Sequence, residues 1–298
     1  MSALFNGPVS SYLVNFAPTV LGYPFTVGMI FSLTNVGTVQ RALWSLSDTA
    51  TSTNYFEIRM NASEALFQVT ASSAVAEEVT GLGFTLIPNQ WTFVVARWIS
   101  ATNRRISILH QNGRADVGSG TTSLNPTGID LMMIGAVSTS QGRDAVSSTA
   151  WDGRIAEFWM TNSDAYPNSE ENVNRSFMVA LRNRGPFAFP HIANNIVEYR
   201  SFRKHPTHEN DNPDEVYYIS SQAIRWTNVN NVRVAPHPPL VPQYQDGFTP
   251  MQWRAIKQGW MVSSAAPTTE QMFTRFPARM DGIGYGGIFP GGRLMDKA

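Results

Sequence analysis

The feature that most limits what this chain can fold into is the rhythm of its apolar residues between Tyr23 and Thr161. Short strand-like runs follow one another, each closed by turn residues, with no helical period between them. Phe25-Thr26-Val27-Gly28-Met29-Ile30-Phe31 is the first, closed by Asn35 to Gly37. In Phe56-Glu57-Ile58-Arg59-Met60 the alternation puts the apolar residues on one face and the charged pair on the other, which predicts a strand wet on the Glu57 and Arg59 side. Trp91 to Trp98 is apolar on both faces and reads as a central strand with a layer on each side. Arg105 to His110 runs into Asn112-Gly113, a pair suited to a two-residue type I′ hairpin turn. Leu131 to Gly135 and Arg154 to Met160 complete the set. So many strands without intervening helices predict an all-β fold, an antiparallel β-sandwich with sheet packed on sheet.

Beyond Thr161 the pattern changes. Asn168 with Glu171 three positions on, the spacing of Val173, Phe177 and Leu181, and the stop at Gly185-Pro186 predict a helix over 169–183. A shorter helix is expected from Thr268, with Met272, Phe273 and Phe276 on its apolar side. Twelve of the 18 prolines follow Leu181, which predicts a mostly irregular C-terminal extension with one or two short helices. The resulting division is an N-terminal arm over 1–22, a sandwich over 23–165, a helix with additional strands packing on it over 166–240, and an extended arm over 241–298.

Composition excludes several function classes. Basic and acidic residues number 22 each, so the broad positive field that binds phosphate backbones or anionic lipid is missing, and neither nucleic acid nor membrane is expected as a partner. With no cysteine there is no disulfide, thiolate metal site or thiol nucleophile. No run approaches the roughly 18 apolar residues of a membrane helix. Met1 to Ser10 has no basic start and the apolar stretch after it is broken by Asn15, Pro18 and Gly22, so no export signal is expected.

The order of Phe25-Thr26-Val27, Asn89 to Val95, Ile106 to Gly113, Leu131 to Gly135 and Trp151 to Phe158 resembles the successive strands of a laminin G-like, concanavalin A-like jelly roll over about residues 20–162. The resemblance implies a fold and no activity, because such domains serve as carbohydrate binders, glycan hydrolases and structural modules. Val197-Glu198-Tyr199 and Pro236 to Leu240 are similar to segments that follow laminin G-like domains in bacteriophage proteins.

Catalytic patterns do not emerge. A glycan hydrolase on this fold needs two carboxylates projecting from one strand at i and i+4, and no such run is present. Glu77 and Glu78 are adjacent and point to opposite sides, Glu157 stands alone on its strand, and Asp48 and Glu64 fall in loops. His205, His208 and Glu209, with Asp211 and Asp214, have a metal-ligating composition, but Pro206 prevents a helix through them and a polar surface loop explains them better. Asp144, Asp152 and Asn162 offer oxygen ligands, yet their spacing fits no calcium loop. No cofactor, metal or catalytic residue is expected.

The aromatic residues carry the functional expectation. Trp44, Tyr55, Trp98, Trp151 and Trp159 fall on predicted strands or beside them and should be mostly core, with one or two left to stack on a sugar. Trp253, Trp260, Phe273, Phe276, Arg279, Tyr285 and Phe289 lie where little local core exists, and these are the residues expected to bind a partner chain. Arginine dominates the basic residues, since only Lys204, Lys257 and Lys297 are lysines, and guanidinium suits bidentate interface contacts. The sequence reading is thus a non-enzymatic structural protein of a bacteriophage virion, assembled in the host cytoplasm and released by lysis. Its C-terminal arm would decorate or cement a capsid by binding the major capsid protein or other virion subunits. A carbohydrate-binding host-recognition module, or a tail or baseplate component, is the alternative; a second copy of the chain and a glycan are further candidate partners.

Overall fold

A computed structural model of the chain describes residues 2–7, 11–35, 40–61, 65–73, 75–80, 86–110, 115–137, 150–165, 175–186, 189–200, 227–229 and 232–235. Fifteen strands follow in chain order: β1 (Ser2–Phe5), β2 (Tyr12–Asn15), β3 (Phe25–Leu33), β4 (Arg41–Ser47), β5 (Tyr55–Met60), β6 (Leu66–Ser72), β7 (Val75–Thr80) and β8 (Thr92–Ser100) come first. Then come β9 (Asn103–His110), β10 (Ala115–Gly120), β11 (Leu131–Ile134), β12 (Gly153–Thr161), β13 (Ile196–Arg200), β14 (Thr227–Val229) and β15 (Arg233–Ala235), with the helices α1 (Arg175–Arg184) and α2 (Pro190–Ala193) between β12 and β13.

Among the described residues the strands form two antiparallel sheets. One runs β10-β9-β8-β3-β12-β1-β15 with β13 also on β12, and the other runs β14-β2-β11-β4-β5-β6-β7. Between them lies one apolar core fed by alternate residues of both sheets, as period-2 patterning requires. Phe56, Ile58 and Met60 of β5 point inward, as do Val94, Ala96 and Trp98 of β8. The centre is an aromatic cluster: Phe25 stacks on Trp98 at 4.8 Å and 15°, and Phe56 meets the Phe25 ring edge-on at 5.0 Å. Trp98 Nε1 donates to Thr70 Oγ1 at 2.8 Å, so the indole is buried without an orphaned donor. Gln68 Nε2 donates to the Arg97 carbonyl at 2.8 Å, tying β6 to β8 across the core.

The outer face of the first sheet is closed as well. Phe93 and Val95 of β8 are 2% and 0% exposed, so this strand is buried on both sides as its sequence predicts. On the same face Trp159 lies across Gly28, where an added Cβ would fall 2.2 Å from its ring. At the open edge of the sandwich, fully buried Arg104 donates to the carbonyls of Ala101 and Thr122 and pairs with Glu77 of the opposite sheet. Burial alone would raise the Glu77 carboxyl, but hydrogen bonds from Thr122, Arg104 and the Thr121 amide outweigh it and hold it below the usual range.

The structure corrects two expectations. Residues 1–22 do not form a separate arm: β1 pairs with β12 and β15, and β2 pairs with β11 and β14. Each run holds only four residues and is followed by Gly7-Pro8 or Pro18, so periodicity in the sequence is too brief to reveal it. Glu57 is not on a wet face, being 5% exposed. The strands on either side of Asn112-Gly113 pair with Leu109 opposite Ala115, and the turn expected there lies outside the described residues.

Two compact units divide the chain, residues 1–179 with 194–238 and residues 180–193 with 239–298. The first carries all fifteen strands. Of the second, 180–186 and 189–193 are described: Leu181 is buried, and Gly185, at φ 72°, ends α1 with its amide bonded to the Leu181 carbonyl at 2.8 Å. The expected helix over 169–183 is thus found as Arg175–Arg184, with 166–174 outside the described residues. The expected helix from Thr268 lies outside them too.

Candidate functional site

The outer face of the second sheet has two halves of different chemistry. On one, Tyr12 and Val14 of β2 and Leu131 and Met133 of β11 form a small apolar cluster with Ala136. On the other, Ser45 and Ser47 of β4 lie beside Tyr55, Glu57 and Arg59 of β5, because Ser45 is registered with Glu57 and Ser47 with Tyr55. Short hydroxyl side chains next to long charged ones leave a depression, and a cavity of about 170 Å³ opens there. Gln40, Arg41, Val137 and the β4–β5 loop residues Asp48, Thr51, Ser52 and Asn54 complete its wall.

The loop is held in place by its own acids. Asp48 accepts from the Ala50 amide at 2.8 Å and from Thr51 Oγ1 at 3.2 Å, an Asx-type local arrangement. Asp130 accepts from the Thr49 amide at 2.9 Å and from Thr49 Oγ1 at 2.5 Å. Ser45 Oγ donates to the Ala136 carbonyl at 3.0 Å. These bonds fix the rim on the sheet below it.

The charged floor is less satisfied. Arg59 pairs with Glu78 of β7 through Nη2, while its Nη1 stands 3.9 Å from Glu57, beyond hydrogen-bond distance. Arg41 Nη1 lies 3.7 Å from Asp152. The Nε atoms of Arg41 and Arg59 and the Ser47 hydroxyl are buried and have no hydrogen-bond partner. Burial pushes the Glu57 carboxyl up from 4.5 to about 7, with Arg59 opposing. Burial, with Glu57 beside it, also raises the Tyr55 phenol.

Other acids in the sandwich are committed elsewhere. Asp164 takes a two-point contact from Arg97, at 2.7 Å to each oxygen. Glu157, at φ 52°, accepts from the Tyr199 hydroxyl at 2.5 Å. Glu77 and Glu78 engage Arg104 and Arg59 in opposite directions, as their adjacency requires. Asp152 and Asn162 flank the two ends of the nine-residue strand β12, about 30 Å apart at 3.3 Å per residue, so they share no ion site. Among the described residues no three His, Cys, Asp or Glu groups gather as metal ligands.

Trp44, Trp98, Trp151 and Trp159 are all under 2% exposed and belong to the interior, while Tyr55 faces the cavity. The residues expected to bind a partner, Trp253, Trp260, Phe273, Phe276, Arg279, Tyr285 and Phe289, lie outside the described residues, as do Asp144, His205, His208, Glu209, Asp211 and Asp214. The cavity itself escaped the sequence reading. Its signal was the pairing of Ser45-x-Ser47 with Tyr55-x-Glu57-x-Arg59, visible only once β4 is placed beside β5.

No known protein family matches the chain, and no curated protein does. Among solved structures, the native heptameric SAP-like pentraxin from Limulus polyphemus is similar with a TM-score of 0.45 and 13% identity, over 62% of this chain and 82% of its own. Domains LG4-5 of the mouse laminin alpha1 chain give 0.41 and 11%, over 53% of this chain and 40% of theirs. Full-length tailspike protein 2 from Escherichia coli O157:H7 bacteriophage CAB120 gives 0.45 and 13%, over 66% and 26%. The chain thus spans under half of the laminin fragment and about a quarter of the tailspike. What the chain itself shows is an all-β sandwich of two antiparallel sheets.

Proposed function

We propose that this protein is a non-enzymatic structural protein of a bacteriophage virion, a capsid decoration or cement protein that binds neighbouring subunits through residues 241–298. The observation that carries the reading is how the two kinds of interaction chemistry are distributed along the chain. Among the described residues of the sandwich, Arg41, Arg59, Arg97, Arg104 and Arg200 pair with Asp152, Glu78, Asp164, Glu77 and Glu198, and Trp44, Trp98, Trp151 and Trp159 are core. The ring- and arginine-bearing segment that remains for an outside partner is the C-terminal one, with Trp253, Trp260, Phe273, Phe276, Arg279, Tyr285 and Phe289. The bacteriophage assignment is supported by the resemblance of Val197 to Tyr199 and Pro236 to Leu240 to segments of phage proteins. Engagement of Asp164, Glu77, Glu78 and Glu157 by arginine or tyrosine supports the non-enzymatic part, since a glycan hydrolase needs two free carboxylates facing a shared bond.

The test is particle binding. Full-length protein and the triple variant Trp253→Ala, Trp260→Ala, Arg279→Ala are added to particles lacking the chain and sedimented. Retention of the full-length chain with at least tenfold weaker retention of the variant is the expected result, because such anchors typically contribute over 1 kcal/mol each. Equal retention of both, or none of either, removes the reading.

A further inference from the structure

Arg154 departs from the pattern set by the paired arginines of the sandwich. Among the described residues no acid pairs with it, and its guanidinium carbon sits instead over the Trp91 ring, 5.6 Å from the centroid. The nearest acid in sequence, Asp152, is committed to Arg41. Ala3, Phe5 and Ile155 point into the core, so alternation turns Leu4 and Arg154, which are registered with each other, to the outer face of the first sheet. Leu4, Trp91 and Arg154 are all half-buried, and Ile87, whose carbonyl accepts from the Gln90 amide in the turn before Trp91, is 44% exposed. Tryptophan and arginine among apolar side chains have the composition of an interface centre. A guanidinium held over a ring keeps its N–H fork for a carboxylate.

The course of the chain brings an acid within reach. β13 runs antiparallel to β12 with Arg200 opposite Phe158, so the chain leaves Arg200 in the direction of Arg154, four residues or about 13 Å further along β12. β1 already holds the positions opposite Ile155 and Arg154, which leaves β13 no sheet edge to extend along there. Residues 201–226 join β13 in the first sheet to β14 in the second. Within them Glu209, Asp211, Asp214 and Glu215 place four acids in seven residues, with no lysine or arginine before Arg225, and Val216-Tyr217-Tyr218-Ile219 follow at once. Nine residues separate Arg200 from Glu209, a reach of up to about 30 Å, which exceeds the distance to Arg154. The segment 241–298 is less suited by charge, since its six lysines and arginines outnumber its four acids.

We propose that Arg154 and Trp91 form a docking site for an acidic segment and that its occupant is residues 209–219 of the same chain, with Arg154 donating to a carboxylate of 209–215 and the apolar run 216–219 laid against Leu4 and Trp91. The contact straps the connection between the two sheets to the outer face of the first. It stands apart from the particle-binding segment, and its test does not involve particles.

The chain has no cysteine, so thiols can be placed in it without background. In the full-length protein Leu4→Cys is combined in turn with Asn210→Cys, Asn212→Cys and Trp260→Cys, the first two leaving every acid in place, and disulfides formed in dilute solution are mapped by peptide mass. Cross-links within one chain to position 210 or 212 are expected about tenfold faster than to 260, and slowed about tenfold by Arg154→Gln. Faster cross-linking to 260 gives the site to the C-terminal segment, and cross-links between chains give it to a second copy. Either result overturns the proposal, as do rates indifferent to Arg154→Gln and the absence of any cross-link. Because Leu4→Cys lies in the patch itself, amide exchange of residues 209–219 is also measured in the cysteine-free chain. Exchange is expected to be about tenfold faster in Arg154→Gln, and in the variant carrying Glu209→Gln, Asp211→Asn, Asp214→Asn and Glu215→Gln, than in the parent, with unfolding midpoints confirming that both variants fold. Equal exchange in all three overturns the proposal.

Discussion

Replacing Glu57 with glutamine gives the sharpest test of how the cavity is built. In the folded chain the carboxyl keeps its proton up to about pH 7, whereas in the unfolded chain it releases it near 4.5. Because the folded pKa is the higher one, the contribution of Glu57 to stability is fully present below pH 4.5 and is lost as the pH rises through 7. At 1.36 kcal/mol per unit the whole loss is about 3 kcal/mol, and about 2 to 3 kcal/mol of it falls between pH 5 and pH 8. Glutamine does not titrate, so the stability of the variant relative to the parent should rise by that amount across the same interval. Urea unfolding of both proteins at pH 5, 6, 7 and 8 reads this directly, provided the denaturant slope is the same for both. Glu77, whose depressed pKa acts in the opposite sense, is present in both and cancels in the difference. Parallel stability curves for parent and variant would show that Glu57 is solvated and that the cavity floor is not as described.

Three further substitutions probe the frame around the site. Gly28→Ala drives a methyl into the Trp159 ring and should destabilise by about 2 kcal/mol or more, read as a lower urea midpoint with an unchanged slope. Arg104→Ala strips the clamp between Glu77 and the Ala101 and Thr122 carbonyls; about 3 kcal/mol of stability should be lost in the same assay. Trp98→Ala removes the ring stacked on Phe25 and orphans Thr70, at an expected 3 to 5 kcal/mol by the same measurement.

Legibility in the sequence followed the length of each pattern. β5 and β8 could be read because six and nine residues are long enough to show which faces are apolar, and the double-sided run of β8 told of a layer on each side of its sheet. β1, β2, β14 and β15 hold three or four residues each, and their place is set by pairing with strands distant in sequence, as β1 is with β12. The site was hidden for a related reason. Glu57 and Arg59 look like a solvent face in isolation, and only the loop over 48–54 and the neighbouring Ser45 and Ser47 turn that face into an enclosed floor. Alternation tells which residues share a face, and it does not tell what covers the face.

A reconstruction of the native particle by electron cryomicroscopy tests the central functional claim most directly. The account predicts the sandwich on the outside of the capsid, with residues 241–298 traced across neighbouring subunits and Trp253, Trp260 and Phe273 seated in their surface. Finding the sandwich at the tail, or attached to the particle through its sheets while 241–298 touches no neighbouring subunit, would contradict it.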